Sequence, residues 1–203
     1  RKAINCDAIV TCEKCINYLN GISDISTYQK LKSSLSQTAD YTKTVAEKSS
    51  IVKRERDLQN YYRQAFQEKD FKWWNAEIGN LIAQSKSSKN SREENMMFKR
   101  SLSFLSLMCY MASNSMLNQN QLPQAGMYIQ LYEKVDPENS EVYYMQALLA
   151  AKQQNVQAIL PALQKAVNAG FIDLDRLQKE NLFNSVAEGD GYKKLIEEIK
   201  SQK

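Results

Sequence analysis

Apolar side chains recur every three or four residues along most of the chain, a spacing typical of helices with one buried face. In residues 4–19 the recurring side chains are Ile4, Ala8, Ile9, Cys12, Cys15, Ile16 and Leu19. The pair Asn20-Gly21 predicts the end of this helix. A second helix is expected from Ser26, a residue suited to the N-cap. Residues 33–50 are rich in Ser, Thr and Lys, which predicts a weak or interrupted helix there.

The same periodicity predicts a third helix over about 51–67 and a fourth helix after Asp70, whose side chain can cap it. Trp73 and Trp74 would point about 100° apart on that helix, so only Trp74 has the phase of the core. Trp73 is expected either to cover a neighbouring helical hairpin or to anchor a ligand. The polar, Ser-rich stretch 84–92 lacks periodicity and predicts an internal linker.

A longer helix is predicted over 95–118, and it is apolar around much of its circumference. Its apolar residues are Met96, Met97, Phe98, Leu102, Phe104, Leu105, Leu107, Met108, Cys109, Met111 and Ala112. Such a pattern predicts burial on most sides. Pro123 fits the first turn of the following helix, which is expected to end before Asp136-Pro137.

Composition agrees with an all-α fold, because the 203 residues include only 6 Gly and 3 Pro. The 43% of apolar residues can build a core, and both signs of charge are interspersed to a net charge of +4. This mild charge argues against nucleic acid as a partner. The sequence contains no run of about 20 apolar residues, so no membrane-spanning segment is predicted. The absence of His removes the commonest general base and most catalytic zinc sites, so no enzymatic activity is predicted.

A shift of 34 residues places residues 105–137 on 139–171 without a gap. Small Ser113 then falls on small Ala147, and further pairs are Leu122 with Val156 and Ile129 with Leu163. Two helices per 34 residues is the tetratricopeptide spacing. Residues 105–170 therefore resemble two tetratricopeptide repeats, which implies a right-handed α-α superhelix built from helical hairpins.

Residues 171–203 resemble the capping segment that often follows the last tetratricopeptide unit. Pro161 falls inside the second helix of the second unit and is expected to kink or delay that helix. The domain organisation predicted in this way has four parts. They are an N-terminal helical hairpin over 1–50, a degenerate tetratricopeptide-like hairpin and linker over 51–92, two repeats over 93–170, and capping helices over 171–203.

The resemblance implies a concave groove lined by the first helix of each unit. The residues that match groove positions are Arg63, Gln67, Tyr110, Asn114, Leu117, Asn118, Tyr144, Leu148 and Lys152. Aromatic, amide and cationic groups together suit an extended or helical peptide ligand. One subclass of the family grips a C-terminal carboxylate with a Lys, but Tyr110 holds that position, so this clamp is not predicted. The alternative is a groove that is only a solvated inner wall, or one filled by the N-terminal helices.

Three of the four cysteines, Cys6, Cys12 and Cys15, lie within ten residues, and Cys109 is remote. Three interpretations stay open for them: buried thiols, a disulfide, or a metal site. The favoured function is a non-catalytic protein- or peptide-binding adaptor without a cofactor. The alternatives are a structural subunit that self-associates and a Cys-based metal or redox protein.

The first residue is Arg1, which suggests processing of a longer precursor. The expectation drawn from this start is an exported bacterial cell-envelope protein, either periplasmic or associated with the outer membrane. It leaves room for a lipid anchor upstream. The alternative location is the cytoplasm.

Overall fold

The computed structural model describes residues 25–201, with side chains from Ser33 onward, and the helix predicted over 4–19 lies outside these residues. The described residues form helices joined by turns and contain no β-strand, which confirms the all-α prediction. The helices are α1 (Ile25–Glu68), α2 (Phe71–Ser85), α3 (Arg92–Asn118), α4 (Leu122–Val135), α5 (Ser140–Lys152), α6 (Val156–Asn168), α7 (Leu174–Lys179), α8 (Asn184–Ala187) and α9 (Asp190–Ser201), with a 3-10 turn at Asn181–Phe183. None of these helices combines the length and the apolar character needed to cross a membrane.

Helix α1 runs for 44 residues without a break, so the interruption predicted within 33–50 is wrong. The threonines of this stretch turn their hydroxyls back onto their own helix, where Thr38 donates to the carbonyl of Ser34 at 2.9 Å. Thr42 and Thr44 make equivalent bonds four residues back. A hydroxyl that donates to a carbonyl of its own helix does not draw the backbone into a non-helical conformation. The chain divides into two compact units, residues 1–53 and 54–203.

The second unit begins with a hairpin formed by the end of α1 and α2. Asp70 caps α2 by accepting a hydrogen bond from the backbone N–H of Trp73 at 2.8 Å. Trp74 is buried, as its phase predicted, and its ring packs on those of Tyr62 and Phe66. Trp73 is half-buried and packs edge-on against the rings of Trp74 and Tyr61 in its own hairpin.

Residues 86–91 connect α2 to α3, close to the predicted linker. Ser91 then begins α3 with a capping box. Its hydroxyl accepts from the backbone N–H of Glu94 at 3.1 Å, and the Glu94 carboxylate accepts from the backbone N–H of Ser91 at 3.0 Å. This reciprocal pair of hydrogen bonds fixes the start of α3.

Helices α3 and α4 form one hairpin, and α5 and α6 form a second, each joined by three residues. Their turns match at a separation of 34 residues: Asn120 has φ 57° and Gln154 has φ 59°. In the first turn the backbone N–H of Gln121 donates to the carbonyl of Met116 at 2.9 Å. In the second turn the backbone N–H of Asn155 donates to the carbonyl of Ala150 at the same distance. Buried residues recur at the same separation, in the pairs Ser113 and Ala147, Ala125 and Ile159, Ile129 and Leu163, and Tyr132 and Ala166.

The C-terminal residues close the core of the second hairpin. Those that bury against α5 and α6 are Phe171, Leu177, Phe183, Tyr192, Leu195, Ile196 and Ile199. Gly170, with φ 94°, ends α6 in a conformation that other residues rarely adopt. Helix α6 begins five residues before Pro161, so the proline does not delay its start.

Candidate binding face

One side of α3 stays open to solvent along the whole helix. Its residues, called here the α3 face, are Met96, Arg100, Ser103, Leu107, Met111, Asn114 and Asn118, and all seven are exposed. They follow one another at intervals of three or four residues, so they form a single stripe. The exposed fractions of Met96, Leu107 and Met111 are 44%, 56% and 61%. Burial on most sides of this helix, as predicted from its composition, is therefore wrong for this stripe.

The end of α1, residues 54–68, forms one flank of the α3 face. Glu55 accepts three hydrogen bonds from Arg100, two from Nε at 2.9 and 3.0 Å and one from Nη2 at 2.6 Å. One turn further along α3, the guanidinium of Arg63 lies 5.0 Å from the centre of the Phe104 ring. Arg63 also donates to the side-chain oxygen of Asn60 at 2.7 Å. This flank therefore presents a guanidinium held over an aromatic ring.

The opposite flank of the α3 face is formed by α4 and α5, which contact α3, and α7 packs on α5 through Arg176. Tyr110 packs edge-on against Tyr132 with ring centres 6.3 Å apart. On α7, the guanidinium of Arg176 lies 4.1 Å from the centre of the Tyr144 ring and donates to Glu141 at 2.6 Å. A second guanidinium is thus held over a second aromatic ring on this flank.

Burial and charge act on the ionisable groups of this second flank. Burial would lower the pKa of Arg176, but Glu141, followed by Tyr144 and Tyr110, raises the pKa above its usual value. Burial raises the pKa of Tyr144 to about 12, against a smaller opposing effect of Arg176. Within residues 33–201, the Tyr144 hydroxyl and the Glu141 Oε2 atom are buried and have no hydrogen-bond partner. The guanidinium of Arg176 is therefore charged and held against Glu141 and the Tyr144 ring.

The structure distributes the predicted groove residues over three environments. Arg63, Gln67, Asn114 and Asn118 are exposed, and Tyr110, Leu148 and Lys152 are half-buried. Leu117 and Tyr144 are only 2% and 1% exposed, which corrects their predicted place on an open groove wall. Leu117 lies on the buried side of α3, and the C-terminal segment covers Tyr144 with Phe171, Phe183 and Arg176.

Several residues of the α3 face and its flanks were missed by the groove prediction, among them Met111 and Arg176. Met111 belonged to the apolar set expected in the core, and the residue 34 positions later, Met145, is indeed buried. Arg176 lies in the capping segment, outside the repeat pattern. Spacing could have found Met111, because it lies one turn after Leu107 on the same side of α3. No sequence signal pointed to Arg176.

Cys109 lies on α3, whereas Cys6, Cys12 and Cys15 lie outside the described residues. The thiol of Cys109 is buried, and burial raises its pKa to about 12. A thiol that stays protonated is a poor nucleophile and a poor metal ligand. Within residues 33–201, no three side chains of the His, Cys, Asp or Glu type lie close enough to hold a metal ion.

No protein-family model, curated protein or solved structure matches this chain. Function is therefore inferred from the α3 face and its two flanks. These residues offer an exposed aliphatic floor with amide groups at one end of it, and two guanidiniums that lie over the rings of Phe104 and Tyr144.

Proposed function

We propose that this chain is a non-catalytic adaptor of the tetratricopeptide type that binds a peptide or protein segment along the α3 face. The observation that carries the proposal is the exposure of Met96, Leu107 and Met111 on one stripe of α3, a helix whose other side is buried. Large apolar side chains gathered on one exposed surface mark binding sites in many proteins. Burying them against a partner would release the water that now covers them.

The tetratricopeptide-type superhelix is part of this proposal. Its support is the 34-residue separation of the two left-handed turn residues, Asn120 and Gln154, together with the four pairs of buried residues at that separation. In such an arrangement α1, α3 and α5 would lie side by side and share one concave surface. The α3 face would then be the middle of the groove.

The chemistry of the face suits a polypeptide ligand. Leu107 and Met111 can pack on apolar side chains, and Met adapts its shape to different partners. The exposed amides of Asn114 and Asn118 can donate to and accept from a peptide backbone. The half-buried Leu148 and Lys152 on α5 would extend the same surface.

Site-specific photo-crosslinking tests the proposal. A photoreactive amino acid at Met111 is expected to capture a discrete partner in the native cell. The same group at Ile172, which is 51% exposed but lies in the segment between α6 and α7, should capture none. Leu107→Asp should abolish the Met111 adduct without loss of stability, because the side chain is 56% exposed. Equal capture at both positions, or an adduct that survives Leu107→Asp, would overturn the proposal.

A second candidate is self-association through the first unit. Tyr41, Val45 and Val52 on α1 are exposed, with fractions of 71%, 47% and 63%. Their spacing of four and seven residues places them close to one side of the helix. A dimer at all concentrations that the triple Ser variant abolishes would support this candidate, and a monomer at high concentration would exclude it.

A further inference from the structure

Methionine is concentrated on the helix that carries the proposed binding face. Five of the seven methionines lie on α3, and the other two are Met127 on α4 and Met145 on α5. Two of the five, Met96 and Met111, belong to the α3 face, where they are 44% and 61% exposed. Reagents dissolved in water can therefore reach these two side chains.

Exposure separates these two methionines from residues of the same type nearby. Met97 follows Met96 directly in sequence, yet it is fully buried at 0% exposure. Met145 takes the place of Met111 in the second hairpin, and it is only 1% exposed. Oxidation of a thioether requires contact with the oxidant, so it should be faster at the two exposed methionines than at the two buried ones.

A peroxide converts methionine to its sulfoxide in one two-electron step. The thioether sulfur attacks one peroxide oxygen, so an S–O bond forms while the O–O bond breaks. With hydrogen peroxide, the proton on the transferred oxygen passes to the leaving hydroxide, which departs as water. The sulfoxide is polar, and burying its oxygen against an apolar partner without a hydrogen-bond donor is unfavourable. Oxidation would therefore make the α3 face polar and leave the core unchanged.

We propose that Met96 and Met111 form an oxidation-sensitive switch on the α3 face, where a peroxide converts them to sulfoxides and the bound polypeptide is released. This inference rests on the proposed function and adds a means of regulating the same face. The buried methionines stay reduced, so the fold persists while the face changes. Reduction by two thiols, which become a disulfide while the oxygen leaves as water, restores the apolar surface.

The cysteine on the same helix does not compete for the oxidant. Cys109 is 1% exposed, and burial raises its pKa to about 12, so the reactive thiolate is scarce. The other three cysteines lie outside the described residues. Every variant in the test therefore keeps all four cysteines, so that any effect of thiol oxidation appears equally in each chain.

Peptide mass spectrometry after graded treatment with hydrogen peroxide measures oxidation at each methionine. Sulfoxide at Met96 and Met111 should form several-fold faster than at Met97 and Met145, while circular dichroism shows an unchanged helix content. Equal rates at the four residues would overturn this inference and leave the proposed function standing.

Photo-crosslinking then measures binding with both exposed methionines in place. A photoreactive amino acid at Asn114, which is exposed and one turn from Met111, should capture the partner from a lysate of the native cell. Treating the purified chain with hydrogen peroxide, then removing the peroxide with catalase, should lower the yield of adduct about tenfold.

The matched control is the double variant Met96→Leu and Met111→Leu, which keeps the apolar surface but cannot form sulfoxides there. Its yield of adduct should be the same with and without peroxide. An unchanged yield in the parent chain, or an equal loss in the double variant, would overturn this inference alone. Failure of both chains to capture a partner, treated or untreated, would overturn both this inference and the proposed function.

Discussion

Ser113 and Ala147 occupy matching places in the two hairpins, and both are fully buried at 0% exposure. The serine adds one oxygen atom, which has no hydrogen-bond partner within residues 33–201. A buried hydroxyl without a partner costs about 1–3 kcal/mol. We therefore expect Ser113→Ala to raise the free energy of unfolding by about 1 kcal/mol in a urea titration.

Ser101 is the matched control for this substitution. It is equally buried and lies on the same helix, but its hydroxyl donates to the carbonyl of Met97 at 3.0 Å. Ser101→Ala removes a satisfied group, so the free energy of unfolding should stay unchanged or fall slightly. Equal shifts in the two variants, or a fall in Ser113→Ala, would contradict the assignment of the cost to the unpartnered oxygen.

Among the elements, the two turns at Asn120 and Gln154 share a left-handed backbone, with φ of 57° and 59°. Asn adopts this conformation more readily than Gln, so the second turn carries the greater strain. Gln154→Gly should raise the free energy of unfolding by about 1 kcal/mol, seen as a higher melting temperature. Its neighbour Gln153 has φ −80° and provides the control, because Gly there only adds flexibility and should lower the melting temperature.

Local signals explain how far the sequence could predict the elements. Asp70 and the polar stretch 84–92 marked the boundaries of α2, because capping and turn formation depend on neighbouring residues alone. The composition of residues 33–50 led to a wrong prediction of an interrupted helix. Helix propensity takes no account of the Thr hydroxyls that donate to carbonyls four residues earlier in the same helix. Helix propensity is a weak guide wherever such bonds are made.

The candidate site was predictable only where exposure follows from helix phase. Asn114 and Asn118 lie on the exposed side of α3, as the repeat register placed them. Tyr144 could not be placed, because the residues that cover it come from a segment some thirty positions away, folded back by tertiary packing. Met111 was assigned to the core because an apolar stripe for a partner and one for the core look alike in sequence, and its spacing from Leu107 was the one signal against that assignment.

At the scale of the second unit, the C-terminal segment belongs to the core. Phe183 is fully buried, with its ring edge-on to Tyr144 at 5.8 Å between centres. Phe183→Ala would leave a cavity against α5, and we expect the free energy of unfolding to fall by about 3–5 kcal/mol. Ile172→Ala in the same segment should cost less than about 0.5 kcal/mol, because that side chain is half exposed. Similar losses in both variants would contradict a structural role specific to Phe183.

Buried phenols and a buried thiol make the whole molecule sensitive to alkali. Burial raises the pKa of Cys109, Tyr132 and Tyr144 from 9.0, 10.0 and 10.0 to about 12 in each case. Between these limits the unfolded chain loses protons that the folded chain keeps, so raising the pH favours unfolding. Unfolding in urea between pH 8 and 11 should show a free energy of unfolding that falls gently below about pH 9 and more steeply above about pH 10.

Tyr144→Phe isolates one contribution to this alkaline fall. The variant keeps the buried ring but has no phenolic proton, so the dependence above pH 10 should become shallower than in the parent chain. The exposed Tyr41 supplies the control, because Tyr41→Phe removes a phenol that is open to solvent and should leave the slope unchanged. If the free energy of unfolding did not fall above pH 10, or if both variants altered its slope alike, burial of these phenols would not govern the alkaline stability of the fold.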